Sequence, residues 1–274
     1  MIGMNPIIRL VELAVWSANI AGERNPVSML LVAKPESGKS DIIQMFDKAP
    51  TTILVSDLTA WGLTKYVLPL IYKKGRPMTI LIPDFLNLLS RNQATVTSMT
   101  QTLKSLMEEG ITRIWTKFIR VEFDRPITGA VITSITPSEF KGLQRSWTKT
   151  GVLSRFIIVS YEHSNGLQTD IKDYLETRVS KLRENFLGTN WPTKPITVQA
   201  DGRLLRPLRS LAEQIGTRTK MQDEQYGYRM QLHFQRLAAA HALTLGRDYV
   251  VKQDVEAVSI MLDLYANLDY NKVD

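Results

Sequence analysis

Gly38-Lys39-Ser40 stands between an apolar run, Met29 to Ala33, and a segment whose apolar residues recur at helical spacing, Ile42, Ile43 and Phe46. A glycine, a lysine and a hydroxyl residue between a strand and a helix are the parts of a loop that cradles polyphosphate. Main-chain N–H groups and the start of the helix attract the anion. Lys39 would reach the β- and γ-phosphates, and the Ser40 hydroxyl would ligate Mg²⁺. In the usual pattern, G-x-x-x-x-G-K-[ST], the first glycine is here Ala33. That exchange matters only if the position needs positive φ or very close backbone approach. The residues expected to hold ATP are Ala33, Pro35, Glu36, Ser37, Gly38, Lys39, Ser40 and Asp41. A chance strand–turn–helix is the plainer alternative.

Such a loop needs an acid on a neighbouring strand to hold Mg²⁺. ILIPDF supplies Asp84 at the end of an apolar run, so Ser40 and Asp84 are the expected metal-associated pair. A glutamate usually follows, to polarise the attacking water, but Phe85 follows here. Asp57 could assist, although a helix N-cap ahead of Leu58 is the simpler expectation for it. Thr136, in TSITPSEF, has the polarity and position to lie between the acid and the γ-phosphate, with Thr133 and Ser134 beside it. The competing reading is that Thr136-Pro137-Ser138 only starts a helix. Arg155 directly precedes the apolar run FIIVSY, where it must be at the surface or paired. An arginine there can reach a neighbouring subunit's γ-phosphate and neutralise transition-state charge.

The elements that must position these residues alternate. Short Ile- and Val-rich runs at 27–33, 52–56, 78–83, 128–135 and 155–161 read as buried strands. Helical patterns at 5–20, 38–47, 61–72, 94–109 and 137–147 separate them. Alternation of this kind predicts a parallel sheet covered on both faces. Residues 111–122 (ITRIWTKFIRVE) read as an extra hairpin before the fourth strand. Beyond about residue 166 the pattern is helical, at 168–188, 202–216, 224–245 and 252–268, with Pro207 marking a start or a kink. The expected division is an α/β core, 1–165, followed by an all-helical domain, 166–274.

Composition narrows the chemistry. The absence of cysteine excludes disulfides, thiolate metal sites and a cysteine nucleophile. Three histidines without an H-E-x-x-H pair argue against a dedicated zinc site. No segment is apolar enough to suggest a membrane span, so a soluble cytoplasmic or nucleoid-associated protein without membrane partners is expected. A net charge of +7 suggests a polyanionic partner, with an ordinary basic surface as the alternative.

In this order the motifs resemble those of the AAA+ ATPases, most closely the branch of the minichromosome maintenance (MCM) helicases and the MoxR-type ATPases. AKPESGKS is similar to the MCM phosphate loop, with Pro35 shared, and LMEEGITRIWTKFIR (106–120) to the stretch leading into that family's pre-sensor hairpin. TSITP is similar to the sensor-1 motif, with Thr136 in place of its asparagine. Val152 to Phe156 matches the finger motif, although Ile157 replaces the family's aspartate, and RMQLHFQRLAAAHA (229–242) resembles the lid helix. The resemblance covers about residues 25–270. It implies a five-stranded P-loop core with a helical lid, an ATPase using Mg²⁺, and a homo-oligomeric ring, commonly a hexamer. It implies catalytic roles for Asp84, Thr136, Arg155 and Arg229, the last contacting phosphate as sensor 2. One acid of the family pair is missing at Pro83-Asp84-Phe85, which implies slow hydrolysis. The family's flanking DNA-binding domains are not recognisable, so the chain reads as a motor alone.

The hairpin stretch ITRIWTKFIRV carries Arg113, Lys117 and Arg120 with Trp115 and Phe118, and no acid. Cations neutralise phosphates and aromatics stack on bases. In the family such a hairpin points into the central channel, so sequence-independent DNA binding is expected. An amphipathic hairpin with inward aromatics is the alternative. Three functions stay open: a ring ATPase moving on or remodelling DNA, a MoxR-like remodeller with protein partners, and an ATP-dependent switch that hydrolyses poorly.

Overall fold

The structure is a computed structural model and describes residues 4–22, 25–162, 191–218 and 224–266. Five strands form one parallel sheet: β1 (Ser28–Val32), β2 (Thr52–Leu54), β3 (Met78–Ile82), β6 (Gly129–Ile135) and β7 (Phe156–Ser160). They lie in the order β2-β3-β6-β1-β7. The three central strands are buried along their whole length, which is why their sequences are continuous apolar runs rather than alternating ones. The order contains a reversal. After β1 the chain crosses to the far edge at β2, works inward through β3 and β6, and then passes β1 to form the other edge at β7. In an open parallel sheet such a reversal opens a crevice at the carboxyl ends of the strands.

The helices differ from the expected spans in instructive ways. α1 (Asn5–Trp16) is buried on nearly every side, including Ile7, Leu10, Val11, Leu13 and Val15. The amphipathic face expected for it is wider because α1 is sandwiched, with the sheet on one side and the C-terminal helices on the other. α2 (Lys39–Gln44) stops short of residue 47. Its exit tightens into turns because the Thr52 hydroxyl donates to the Phe46 and Ala49 carbonyls, at 2.7 and 2.8 Å. The helix expected at 61–72 is three pieces: α3 (Ala60–Gly62), a π turn (Leu63–Val67) and α4 (Leu68–Lys74). Pro69, in the first turn of α4, has no N–H for the helical ladder, so the ladder widens just ahead of it. Thr59 caps α3 by accepting from Gly62 N–H at 2.9 Å. Asp57 is therefore not the cap; it pairs with Arg91 at the surface.

Short α5 (Leu86–Leu89) and long α6 (Gln93–Met107) lead to an antiparallel hairpin of β4 (Ile111–Trp115) and β5 (Arg120–Ile127). The second strand runs five residues beyond the expected end at 122. It is held by Arg125, which donates to the Tyr72 and Gly75 carbonyls at 2.8 and 3.2 Å, and by Phe123 against Tyr72. α7 (Pro137–Lys149) connects β6 to β7.

The C-terminal region contains α8 (Arg206–Arg218), α9 (Glu224–Thr244) and α10 (Lys252–Tyr265). Pro207 lies in the first turn of α8, so it marks a start. The helix expected at 168–188 lies outside the described residues. One continuous buried cluster includes α1, the sheet and α8 to α10. Between α9 and α10, buried Asp254 accepts from Arg247 at 2.6 and 2.8 Å and from Val251 N–H at 2.8 Å, with His241 Nδ1 at 2.7 Å. No helix among the described residues is long and apolar enough to cross a membrane.

Candidate functional site

The loop 33–40 leaves β1 at the reversal, between β6 and β7, where the crevice opens. Ala33 is 1% exposed, and its N–H donates to the Ile135 carbonyl at 3.4 Å. Among the described residues Glu36, at φ 61°, is the one non-glycine with positive φ, so Ala33 needs no glycine-like conformation. Its methyl packs into the core rather than into the loop mouth. The unusual backbone falls instead at Glu36 and at Gly38, φ 79°. Glycine suits the second position without cost; glutamate holds the first under strain, as residues at functional loops often are.

Lys39 is buried, and its ammonium donates to the Ala33 and Lys34 carbonyls at 2.6 Å each, with Ser37 Oγ at 3.4 Å. Burial pushes this lysine below its ordinary range, while the Asp84 and Glu139 carboxylates work in the opposite direction. Two acids therefore lie within electrostatic reach of the loop lysine, and the second was not among the residues singled out in the sequence. Tyr161 is another addition. Just after β7, it is buried and donates to the Ser37 carbonyl at 3.3 Å, bracing the loop from the edge strand. Burial pushes its phenol up to about 12, so it is neutral at ordinary pH. Lys34 and Glu162 form an exposed ion pair at 3.0 Å across the same gap.

Three elements meet at the Pro83 carbonyl, which accepts from Ser40 Oγ at 3.3 Å and from Ser134 Oγ at 2.6 Å. The ends of β3 and β6 and the start of α2 are thus stitched together, which brings Ser40 and Asp84 to one place as expected. Asp84 is exposed, and its Oδ1 accepts from Leu86 N–H at 2.9 Å, so the other carboxylate oxygen is left to the crevice. Phe85 turns inward, 3% exposed, edge-on to Trp147 of α7. The position after Asp84 consequently cannot present any group to the site. Thr136 is the N-cap residue of α7; its N–H donates to Glu139 Oε2 at 3.2 Å, and its hydroxyl lies 3.1 Å from Ser138 Oγ. It lies at the end of β6, between the strands that lead to Asp84 and to the loop, and it starts α7, as the competing reading of TSITP has it.

Oxygen donors from Ser40 and Asp84, with phosphate oxygens and water, suit Mg²⁺. Among the described residues no group of three or more His, Asp or Glu forms a metal cage, so the metal would depend on the phosphates.

Arg155 and Arg229 are brought together, but far from Lys39. Arg155 directly precedes Phe156, which pairs with Ser28 at the beginning of β1, whereas the loop follows Val32 at its end. At about 3.3 Å of rise per residue that separation is roughly 15 Å. Glu108, just after α6, pairs with Arg155 through one carboxylate oxygen and with Arg229 of α9 through the other. Arg229 also donates to Ser154 Oγ at 2.8 Å. Burial lowers the Arg155 guanidinium from its ordinary range, Glu108 opposes this and Arg229 adds to it. Its Nε is buried without a partner.

The hairpin tip is exposed, with Trp115 at 54% and Phe118 at 83%. Its aromatics therefore do not pack inward. The guanidinium carbons of Arg113 and Arg120 lie 4.6 and 4.7 Å from the Trp115 ring centre, and Lys117 caps Phe118. One expectation needs correction: with β5 extended to Ile127, the hairpin does carry acids, and Glu122 opposes Arg113 and pairs with it at 2.6 Å. Among the described residues Lys117 and Arg120 make no ion pair.

Neither protein-family models nor curated proteins give a match to this chain.

Proposed function

We propose that the chain is an AAA+-type, MCM-like ATPase that binds ATP·Mg²⁺ at residues 33–41, assembles as a ring, and moves on or remodels DNA in the cytoplasm or nucleoid. The observation that carries the nucleotide reading is the placement of the Lys39 loop at the strand-order reversal, stitched through Pro83 to the strand bearing Asp84. Lys39 would exchange its two carbonyl acceptors for phosphate oxygens. Ser40 and Asp84 would hold Mg²⁺, which offsets charge on the β- and γ-phosphates. Thr136, at the end of β6, is in position to orient the γ-phosphate.

The ring reading rests on the distance between the two clusters. Arg155 and Arg229 stand at the opposite end of the β1–β7 strand pair from their own Lys39, so the phosphate they could meet is a neighbouring copy's. In that arrangement Glu108 would yield the arginines to the incoming phosphate. The DNA reading rests on the exposed Arg113–Trp115–Arg120 stack, which offers a base-stacking face and cations at one tip. Protein partners in addition to DNA are compatible with the exposed basic residues Lys141, Arg145 and Lys149 of α7.

The test is ATP binding by Lys39→Ala. Loss of a charged hydrogen-bonding group aimed at phosphate should weaken binding by roughly 10- to 100-fold. Equal affinity in parent and variant, by calorimetry, refutes the loop assignment.

A further inference from the structure

We propose that Glu139 is the general base for ATP hydrolysis, supplying from α7 the carboxylate missing after Asp84. This rests on the ATPase reading above. β6 lies between β1, which leads into the phosphate loop, and β3, which ends at Asp84. The first turn of α7 follows β6 directly, at the carboxyl end of the strand between β1 and β3, and the Glu139 carboxylate is within electrostatic reach of Lys39. Thr136 N–H holds Oε2 at 3.2 Å, which fixes the carboxylate, and among the described residues Oε1 has no hydrogen-bond partner. Phe85 N–H donates to the Ser134 carbonyl at 3.0 Å, and Phe85 packs edge-on to Trp147. The first contact ties the end of β3 to β6, and the second ties it to α7.

Three of the other carboxylates near the loop are engaged. Asp84 has one oxygen on Leu86 N–H and is the metal-associated acid, Glu162 pairs with Lys34, and Asp57 pairs with Arg91 across the surface. In the step assigned to Glu139, water oxygen attacks the γ-phosphorus and its proton passes to Glu139 Oε1. The bond from phosphorus to the β,γ-bridging oxygen breaks, and its electron pair leaves with ADP. Glu139 then releases the proton to solvent, which leaves ADP and inorganic phosphate.

Glu139→Gln keeps an oxygen to accept from Thr136 N–H and removes the base, so it separates chemistry from helix capping. ATP affinity by calorimetry and phosphate release under saturating ATP would be measured on parent, Glu139→Gln and Lys39→Ala at matched protein concentration. The expected result is ATP affinity within about three-fold of the parent and kcat lower by at least about 100-fold, a typical share for a general base. A variant kcat within about three-fold of the parent overturns the assignment, as does a parallel loss of binding and turnover. A parent that binds ATP but releases no phosphate overturns it and leaves the nucleotide site standing. A parent that binds no ATP removes the ATPase reading and this assignment together.

Discussion

Tyr161 shows how a single side chain sets the shape of the candidate loop. Its phenol reaches from the end of β7 to the Ser37 carbonyl, in a loop whose Glu36 is in the left-handed region. Tyr161→Phe keeps the ring and removes one hydrogen bond, so the expected cost is about 1 kcal/mol of stability. Because the lost contact orients the loop, ATP affinity should fall several-fold as well; denaturant melts and calorimetry on the same variant would check both. Unchanged affinity would mean that the brace serves packing alone. The residue scale also shows what spacing can and cannot tell. Lys39, Ser40 and Asp84 were legible because the chemistry requires those types beside a strand end. Tyr161 and Glu139 were not, because each reaches the loop from a strand or helix distant in sequence. Only the sheet order makes them neighbours. Ala33 raised a doubt that its backbone conformation answers.

At the level of elements, all five strands were readable as Ile- and Val-rich runs, because strands buried on both faces have no polar alternation to obscure them. Helix ends were less readable. Thr52 truncates α2, Pro69 forces a π turn, and Thr59 rather than Asp57 caps α3. Each depends on a local hydrogen bond that periodicity does not encode. The hairpin was visible, but not its acids, since the end of β5 is set by Arg125 docking on α4. Its launch depends on Gly110, φ 81°, where a Cβ would meet Pro126 Cβ at 2.8 Å and Thr128 Cγ2 at 2.9 Å. The pairing of Arg113 with Glu122 changes the DNA expectation. Replacing Arg113, Lys117 and Arg120 with alanine should flatten the log–log salt dependence of duplex binding by about two units rather than three. Two unrelated DNA sequences should show the same change, with basal ATP turnover little affected. An unaltered slope and affinity would remove the DNA-channel reading and favour a protein remodeller.

A second element-level prediction concerns Asp254, the joint between α9 and α10. Burial works to raise its pKa, but the hydrogen bonds from Arg247, Val251 N–H and His241 outweigh that and hold it below the ordinary aspartate range. The folded state therefore binds this proton less readily than the unfolded chain. The resulting stability is fully present above about pH 4 and is lost as pH falls through the lower folded value. Asp254→Asn should destabilise the protein at pH 7 by roughly 3 kcal/mol, the scale of breaking a buried charge pair, and flatten the acid side of the stability–pH curve. Chemical denaturation at pH 7 and near pH 3 measures both.

For the whole molecule, the deciding feature is that the Lys39 loop and the arginine pair lie at opposite ends of the neighbouring strands β1 and β7. Within one chain, Glu108 holds Arg155 and Arg229, and both are too far from Lys39 to act on the same nucleotide. On the proposed ATPase reading, a working site needs the loop of one copy and the arginines of another. Arg155→Ala should retain ATP binding, because the loop is intact, and lose turnover by at least about 1,000-fold, within the range assigned to such arginines. Lys39→Ala should bind ATP roughly 10- to 100-fold more weakly and lose turnover. Neither variant alone supports hydrolysis, yet a mixed ring contains junctions where an intact Lys39 loop faces an intact Arg155. Mixing the two should therefore restore phosphate release, with a maximum near equal proportions and none at either extreme. Subunit exchange would be verified independently, with two distinguishable tags and co-purification. Verified mixed assemblies with no recovered turnover at any ratio would show that Arg155 does not complete a neighbour's site, and the Glu108 cluster would then be a structural ion-pair network.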